Sequence, residues 1–266
     1  MIDTLTINIS AILALIPATL YQFSRNDQSD TIWWATIIVA EAGSLAAIWL
    51  SFDGIWRTGF SLALWITVAS CILLYAGLAA KIETCRQLGP LLLPYLLGLA
   101  ILATLWGEAP ERPMISSAPS GWIALHIATS ILTYAILTLA AISGLAVTLR
   151  QRWLNSKQPV SLYRILPSMA DAERLQVGLL IAAQVILSLG LVSGITTQFY
   201  TTGDFLVFDH KILLTFAVFL TIGGMLVVYF RTGLAGRKVA QIILIAYLFL
   251  TLGYPGVKFV RDVLLV

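Results

Sequence analysis

Apolar residues in this chain gather in long unbroken runs, not in the alternation of a strand or the one-sided stripe of a surface helix. Eight such runs recur, near residues 5–22, 31–52, 59–80, 89–106, 122–149, 171–194, 211–230 and 239–257, with short polar connections between them. About 20 helical residues cross a hydrocarbon core of about 30 Å, and a backbone polar group left unpaired in lipid costs several kcal/mol. Each run is therefore predicted to be a transmembrane helix. The fold class that follows is all-α, a polytopic transmembrane helical bundle of eight helices. The connections leave no room for a soluble domain, so residues 1–266 read as a single transmembrane domain, with four helices in 1–110 and a second block over 120–260. The opening Met1-Ile2-Asp3 carries no basic stretch, so the first run reads as helix one and not as a cleaved leader.

Composition agrees with the pattern. The chain is 59% hydrophobic and 11% charged, with a mean hydropathy of +0.92, far from a soluble domain. Its charges add an orientation. With the N-terminus outside, the inner connections hold Arg25, Lys81, Arg86, Arg150, Arg152, Lys157, Arg164, Arg174, Arg231, Arg237 and Lys238, eleven of the sixteen Lys and Arg. Basic residues accumulate on the cytoplasmic side, so both termini are expected on the outer, periplasmic side of a bacterial inner membrane. The net charge of +3 is mostly this asymmetry and does not indicate a nucleic-acid partner. Trp49, Trp56, Trp106 and Trp122 fall at the outer interface and Trp33, Trp34 and Trp153 at the inner one, where an aromatic belt is expected.

The longest connection, Arg150 to Arg174, is basic, contains Pro159 and Pro167, and ends in Ser168-Met169-Ala170-Asp171, a capping-box pattern that should start helix six. Two cysteines, Cys71 and Cys85, with no CxxC or CxxCH, exclude a thiol oxidoreductase or a c-type cytochrome.

Candidate chemistry rests on three residues. The chain has two histidines, His126 and His210, and the topology puts both at outer helix ends, His126 early in helix five and His210 just before helix seven. Neutral imidazole is a common metal ligand, and two such rings can hold a haem iron from opposite faces. Each could equally be an interfacial polar residue bonded to a carbonyl or carboxylate, as with Asp209 beside His210. Along helix five, Ser130 and Tyr134 follow His126 at i+4 and i+8, with Thr129 and Thr133 beside them, so the histidine heads a polar stripe expected to face protein or a cofactor. The aromatic and hydroxyl-rich segment Thr196 to Asp209 could lie on the membrane surface as a lid over a flat apolar ligand. The third residue is Glu41, near the centre of helix two, where an ionisable group costs at least about 2.5 kcal/mol and marks a proton or cation path or a buried interhelical hydrogen bond, with Ser70 a candidate partner.

The stretch Leu125-His126-Ile127-Ala128-Thr129-Ser130-Ile131-Leu132-Thr133-Tyr134-Ala135 resembles the helix that opens the core of the haem-handling cytochrome c assembly proteins. The order continues through Leu166-Pro167-Ser168 with Glu173, Gly190 to Gly194, Asp209-His210-Lys211 where many relatives have Asp-Pro-Lys, and Arg231-Thr232-Gly233 to Gly236-Arg237-Lys238. The resemblance covers roughly residues 120–260 and is closest to the YpjD-like and HemX-like branch. It implies non-covalent, b-type haem at the outer face, His126 matching the family's outer histidine, His210 as second iron ligand, and Ser130 and Tyr134 lining the site. It also implies membrane lipid, haem and cytochrome assembly proteins as partners. No Trp follows Trp153, so the tryptophan-rich outer motif of haem-attaching relatives is missing; Gly253 to Lys258 holds no histidine, and none lies deep in the membrane. Haem holding, not enzymatic attachment, is what remains. Two other classes stay open: a small transporter or accessory subunit using Glu41, and a ligand-free scaffold acting through Arg150 and Arg152.

Overall fold

The computed structural model describes residues 4–23, 30–50, 57–107, 112–113, 119–156, 165–203, 210–233 and 237–251. Its helices are α1 (Thr4–Tyr21), α2 (Asp30–Leu50), α3 (Phe60–Ala79), α4 (Glu83–Arg86), α5 (Gly89–Leu105), α6 (Ser120–Ser156), α7 (Met169–Thr202), α8 (His210–Thr232) and α9 (Arg237–Thr251). Six are long and apolar enough to cross a membrane, α1, α2, α3, α6, α7 and α8, whereas α5 and α9 are shorter apolar helices. This is a multi-pass helical membrane protein. Of the expected eight spanning helices, α5 falls short: its 17 residues reach about 26 Å at 1.5 Å per residue. The last part of the eighth run and both termini lie outside the described residues, as does the 157–164 part of the basic loop.

The fold is all-helical, as expected, and one short backbone pairing joins two of its connections. Two-residue strands β1 (Arg57–Thr58) and β2 (Arg112–Pro113) pair antiparallel, Arg57 opposite Pro113 and Thr58 opposite Arg112. The two connections that the charge pattern assigns to one side thus meet, and backbone groups at the water boundary pair with each other.

The helices group into two compact units, one of residues 1–114, 153–167 and 258–266, the other of 115–152 and 168–257. In the first, α1 packs on α2 and α5, and α3 on α2 and α5, closing a four-helix ring around Leu15, Trp33, Ile37, Trp65, Ile72, Tyr75 and Leu92. Without a hydrophobic driving force between helices in lipid, close packing must hold them, and small residues permit it. Gly43 provides this between α2 and α1, where an added Cβ would stand 2.6 Å from Ala14 Cβ.

Trp33 corrects the aromatic-belt expectation, because it is fully buried. The Arg86 guanidinium lies 4.6 Å from its ring centre and 2.6 Å from Asp30, and the Tyr75 ring sits 5.9 Å away. Tyr75 in turn donates to the Arg86 carbonyl at 2.9 Å. The α4 turn is thereby tied to α2 and α3, and burial there pushes the Cys85 thiol up to about 12.

In the second unit α6 and α7 outlast the apolar runs that predict them, with 37 and 34 residues, about 55 and 51 Å. Nothing in Arg150 to Asn155 or Ile195 to Thr202 breaks a helix, so the backbone ladder continues past the point where hydrophobicity ends. The residues to Thr202 of the expected lid are therefore helical; Thr196, Thr197, Thr201 and Thr202 each donate to the carbonyl four residues back. Gly203, at φ 80°, ends α7 with its N–H on the Phe199 carbonyl; residues 204–209 lie outside the described ones. At the other end the expected cap forms, Ser168 Oγ accepting from Asp171 N–H at 3.2 Å.

Gly43→Val should destabilise the first unit by about 1–3 kcal/mol through overpacking, whereas Gly77→Ala, with nothing within 4 Å, should hold or raise stability. Thermal unfolding in detergent checks this. Equal melting temperatures for the two variants would refute the close α1–α2 contact.

Candidate functional site

The antiparallel α6–α7 pair is joined by side chains that reach the opposite backbone. Ser143 donates to the Ala172 carbonyl at 2.7 Å, and Gln176 Nε2 to the Ala140 carbonyl at 3.3 Å. Gly144 makes the room that the Gln176 amide occupies. On α7's other side Gln184 Nε2 donates to the Phe219 carbonyl of α8 at 3.3 Å, against Gly223. Such bonds are worth about 0.6 kcal/mol on average in membrane proteins, yet their acceptors fix helix register.

His126 belongs to the same series, at the end predicted to be outer. Its Nδ1 lies 3.2 Å from the Gly190 carbonyl and 3.3 Å from Ser193 Oγ. Gly194 lets the ring approach, since a Cβ there would be 2.9 Å from His126 Cε1. A carbonyl can only accept, so a hydrogen bond between these two atoms needs the ring proton on Nδ1. Among the described residues Nε2 makes no hydrogen bond, and the imidazole is only part-buried. Sequence reading missed Ser193 as a neighbour; the Gly190 and Gly194 pair, four residues apart on one helix face, was the available signal.

The polar stripe divides. Thr129 and Thr133 face the interior, 7% and 3% exposed, while Ser130 is exposed and donates to the His126 carbonyl at 2.7 Å. Tyr134 is buried two turns further along, beside Tyr247 of α9 with ring centres 5.7 Å apart, its hydroxyl 3.4 Å from Thr251 Oγ1. Its ring and hydroxyl thus meet α9. His210 is the first residue of α8, and its side chain lies outside the described residues.

Glu41 is half-buried on α2, and its Oε2 has no hydrogen-bond partner among the described residues. Ser70, one candidate partner, gives its hydroxyl to the Ile66 and Thr67 carbonyls of its own helix instead.

No group of three or more His, Cys, Asp or Glu that could hold a bare metal ion occurs among the described residues. A single neutral imidazole held at Nδ1 suits an iron that brings its own four ring nitrogens. The donor chemistry therefore fits haem.

The model of the family described as "Cytochrome C assembly protein" matches residues 55–265. This chain belongs to the cytochrome c assembly family. Membership implies a role in cytochrome c maturation, and the match reaches back past the 120–260 resemblance to include α3 and α5. An uncharacterized 28.8 kDa protein in the nifR3-like 5′ region of Azospirillum brasilense is 44% identical over 270 residues, 100% of both chains. No solved structure matches this cytochrome c assembly protein.

Gly194→Ala should displace the imidazole, shifting the His126 ring resonances of a histidine-labelled sample, while Gly178→Ala, on an open face, should leave them in place. Unmoved resonances in Gly194→Ala would contradict the close contact.

Proposed function

We propose that this protein holds haem non-covalently, as a b-type group, at the outer face of the bacterial inner membrane during cytochrome c assembly. His126 is the principal ligand through Nε2, and His210 supplies the second. Bound haem iron would supply a Lewis acid that takes an imidazole nitrogen. The observation that carries this reading is the Nδ1 contact of His126 with the Gly190 carbonyl, which presents the ring as a neutral base. A carbonyl on the far nitrogen also raises ligand basicity. The role is binding and not catalysis, with assembly proteins as the source or recipient of haem.

Purified protein, as isolated or after hemin addition, should show a Soret band. His126→Ala should weaken hemin binding by at least about tenfold, the lower end of what even outer partners of metal ligands cost, and His210→Ala should change the band shape. No Soret band, or an unchanged one in His126→Ala, would remove the proposal.

A second reading, a transport or accessory role through Glu41, is favoured by its buried Oε2 without a hydrogen bond, which leaves an acceptor for a proton or small cation. It expects Glu41→Gln to abolish ion or proton flux in proteoliposomes with hemin binding intact. Equal flux in the two proteins would end it.

A further inference from the structure

We infer that α7 selects the tautomer of His126: the Gly190 carbonyl and the Ser193 hydroxyl act as paired acceptors that keep the ring proton on Nδ1 and leave Nε2 bare. The inference rests on the haem reading only for the identity of the ligand that Nε2 meets.

Three short distances close a triangle. Ser193 Oγ donates its one proton to the Gly190 carbonyl at 3.0 Å, so only its lone pairs are left for Nδ1, which lies 3.3 Å away. The carbonyl itself is 3.2 Å from Nδ1. Both atoms that Nδ1 meets are therefore acceptors, and a bare Nδ1 would set three lone-pair-bearing atoms against one another.

The alternative requires Ser193 to turn its proton onto Nδ1. That would break its bond to Gly190 and leave the carbonyl facing nitrogen with no proton between them. Ser193 is 1% exposed, so no solvent is at hand to repair the loss. The surroundings also hold Ser193 in place. Thr197 donates to the Ser193 carbonyl at 2.8 Å, Thr129 stands against Gly190, and Gly194 receives the edge of the ring.

Ser193 is thus a positioning residue for His126. The ring can offer Nε2 to a Lewis acid without first losing or moving a proton, which a histidine in free exchange between tautomers would have to do. Ser193 also explains why the contact sits where it does on α7: the carbonyl three residues back is the one its hydroxyl reaches.

The test uses the full-length protein in micelles, labelled with nitrogen-15 in histidine, where two residues give a readable spectrum. In the haem-free wild type, His126 should show a protonated Nδ1 and a bare Nε2. Ser193→Ala removes one of the two acceptors and leaves the Gly190 carbonyl, so it should raise the Nε2–H population in part, not invert it, and weaken hemin binding about tenfold, the lower end of what loss of an outer hydrogen-bond partner costs at metal sites. Ser193→Thr, which keeps the hydroxyl, should restore both. An Nε2–H wild type, or a Ser193→Ala protein with tautomer and hemin binding unchanged, would overturn the inference. A shifted tautomer in Ser193→Ala with no hemin bound by any variant would uphold the inference and remove the proposed function instead.

Discussion

Lipid offers no hydrogen-bond partner, and that constraint shapes both units of this protein. A polar side chain within the apolar span is favoured to close on a hydroxyl, an amide or a carbonyl of the protein itself, Glu41 Oε2 being an exception among the described residues. Most do so locally, as Thr19, Ser44, Thr67, Thr104 and Thr148 each return their hydroxyls to the carbonyl four residues back on the same helix. The few that reach another helix carry more of the tertiary structure: Ser143, Gln176, Gln184 and His126 each meet a backbone carbonyl across an interface. Those contacts convert a set of apolar rods into a register.

Glycine is the complement of each long polar side chain. Gly144 admits Gln176, Gly223 admits Gln184, Gly194 admits His126, and Gly89 admits Gln22 and Tyr75. The physical reason is common to Gln176, Gln184 and His126, which each reach a carbonyl beside the glycine. A long side chain reaches a carbonyl across an interface where the facing helix gives up its Cβ, because a side chain there would occupy the space the donor needs. The imidazole is therefore one member of a general packing scheme, distinguished by a second nitrogen that its own contact leaves over. The His126 contact is built from the same parts as the packing elsewhere along α6 and α7.

Function is tied to the fold through α7. Its N-terminal end starts at the Ser168 cap, its middle is pinned to α6 and α8 by two glutamines, and its C-terminal part carries Gly190, Ser193 and Gly194. A change in register along this helix would move the Gly190 carbonyl away from His126. The residues that set the imidazole therefore depend on amides about 9–21 Å further along the same rod, at 1.5 Å per residue.

Several features were legible from residues alone. The position of the apolar segments, the cap at Ser168 and the place of His126 near a helix end follow from local composition, since hydropathy and capping depend on neighbours within a turn or two. The same reasoning ended α6 and α7 too early, because it located the loss of hydrophobicity and not the loss of backbone hydrogen bonding, which for α7 comes only at Gly203. It placed Trp33 at an interface, although a guanidinium and two helices cover it. It grouped Ser130 with Thr129 and Thr133, whereas packing buries the threonines and leaves the serine exposed. Sequence by itself determined a helical membrane chain and a histidine suited to a ligand; the tertiary structure decided that His126 meets a carbonyl 64 residues away. The difference is physical: crossing a membrane is a property of each segment summed along its own length, but a hydrogen-bond partner is chosen by which atoms two separate helices bring within about 3 Å.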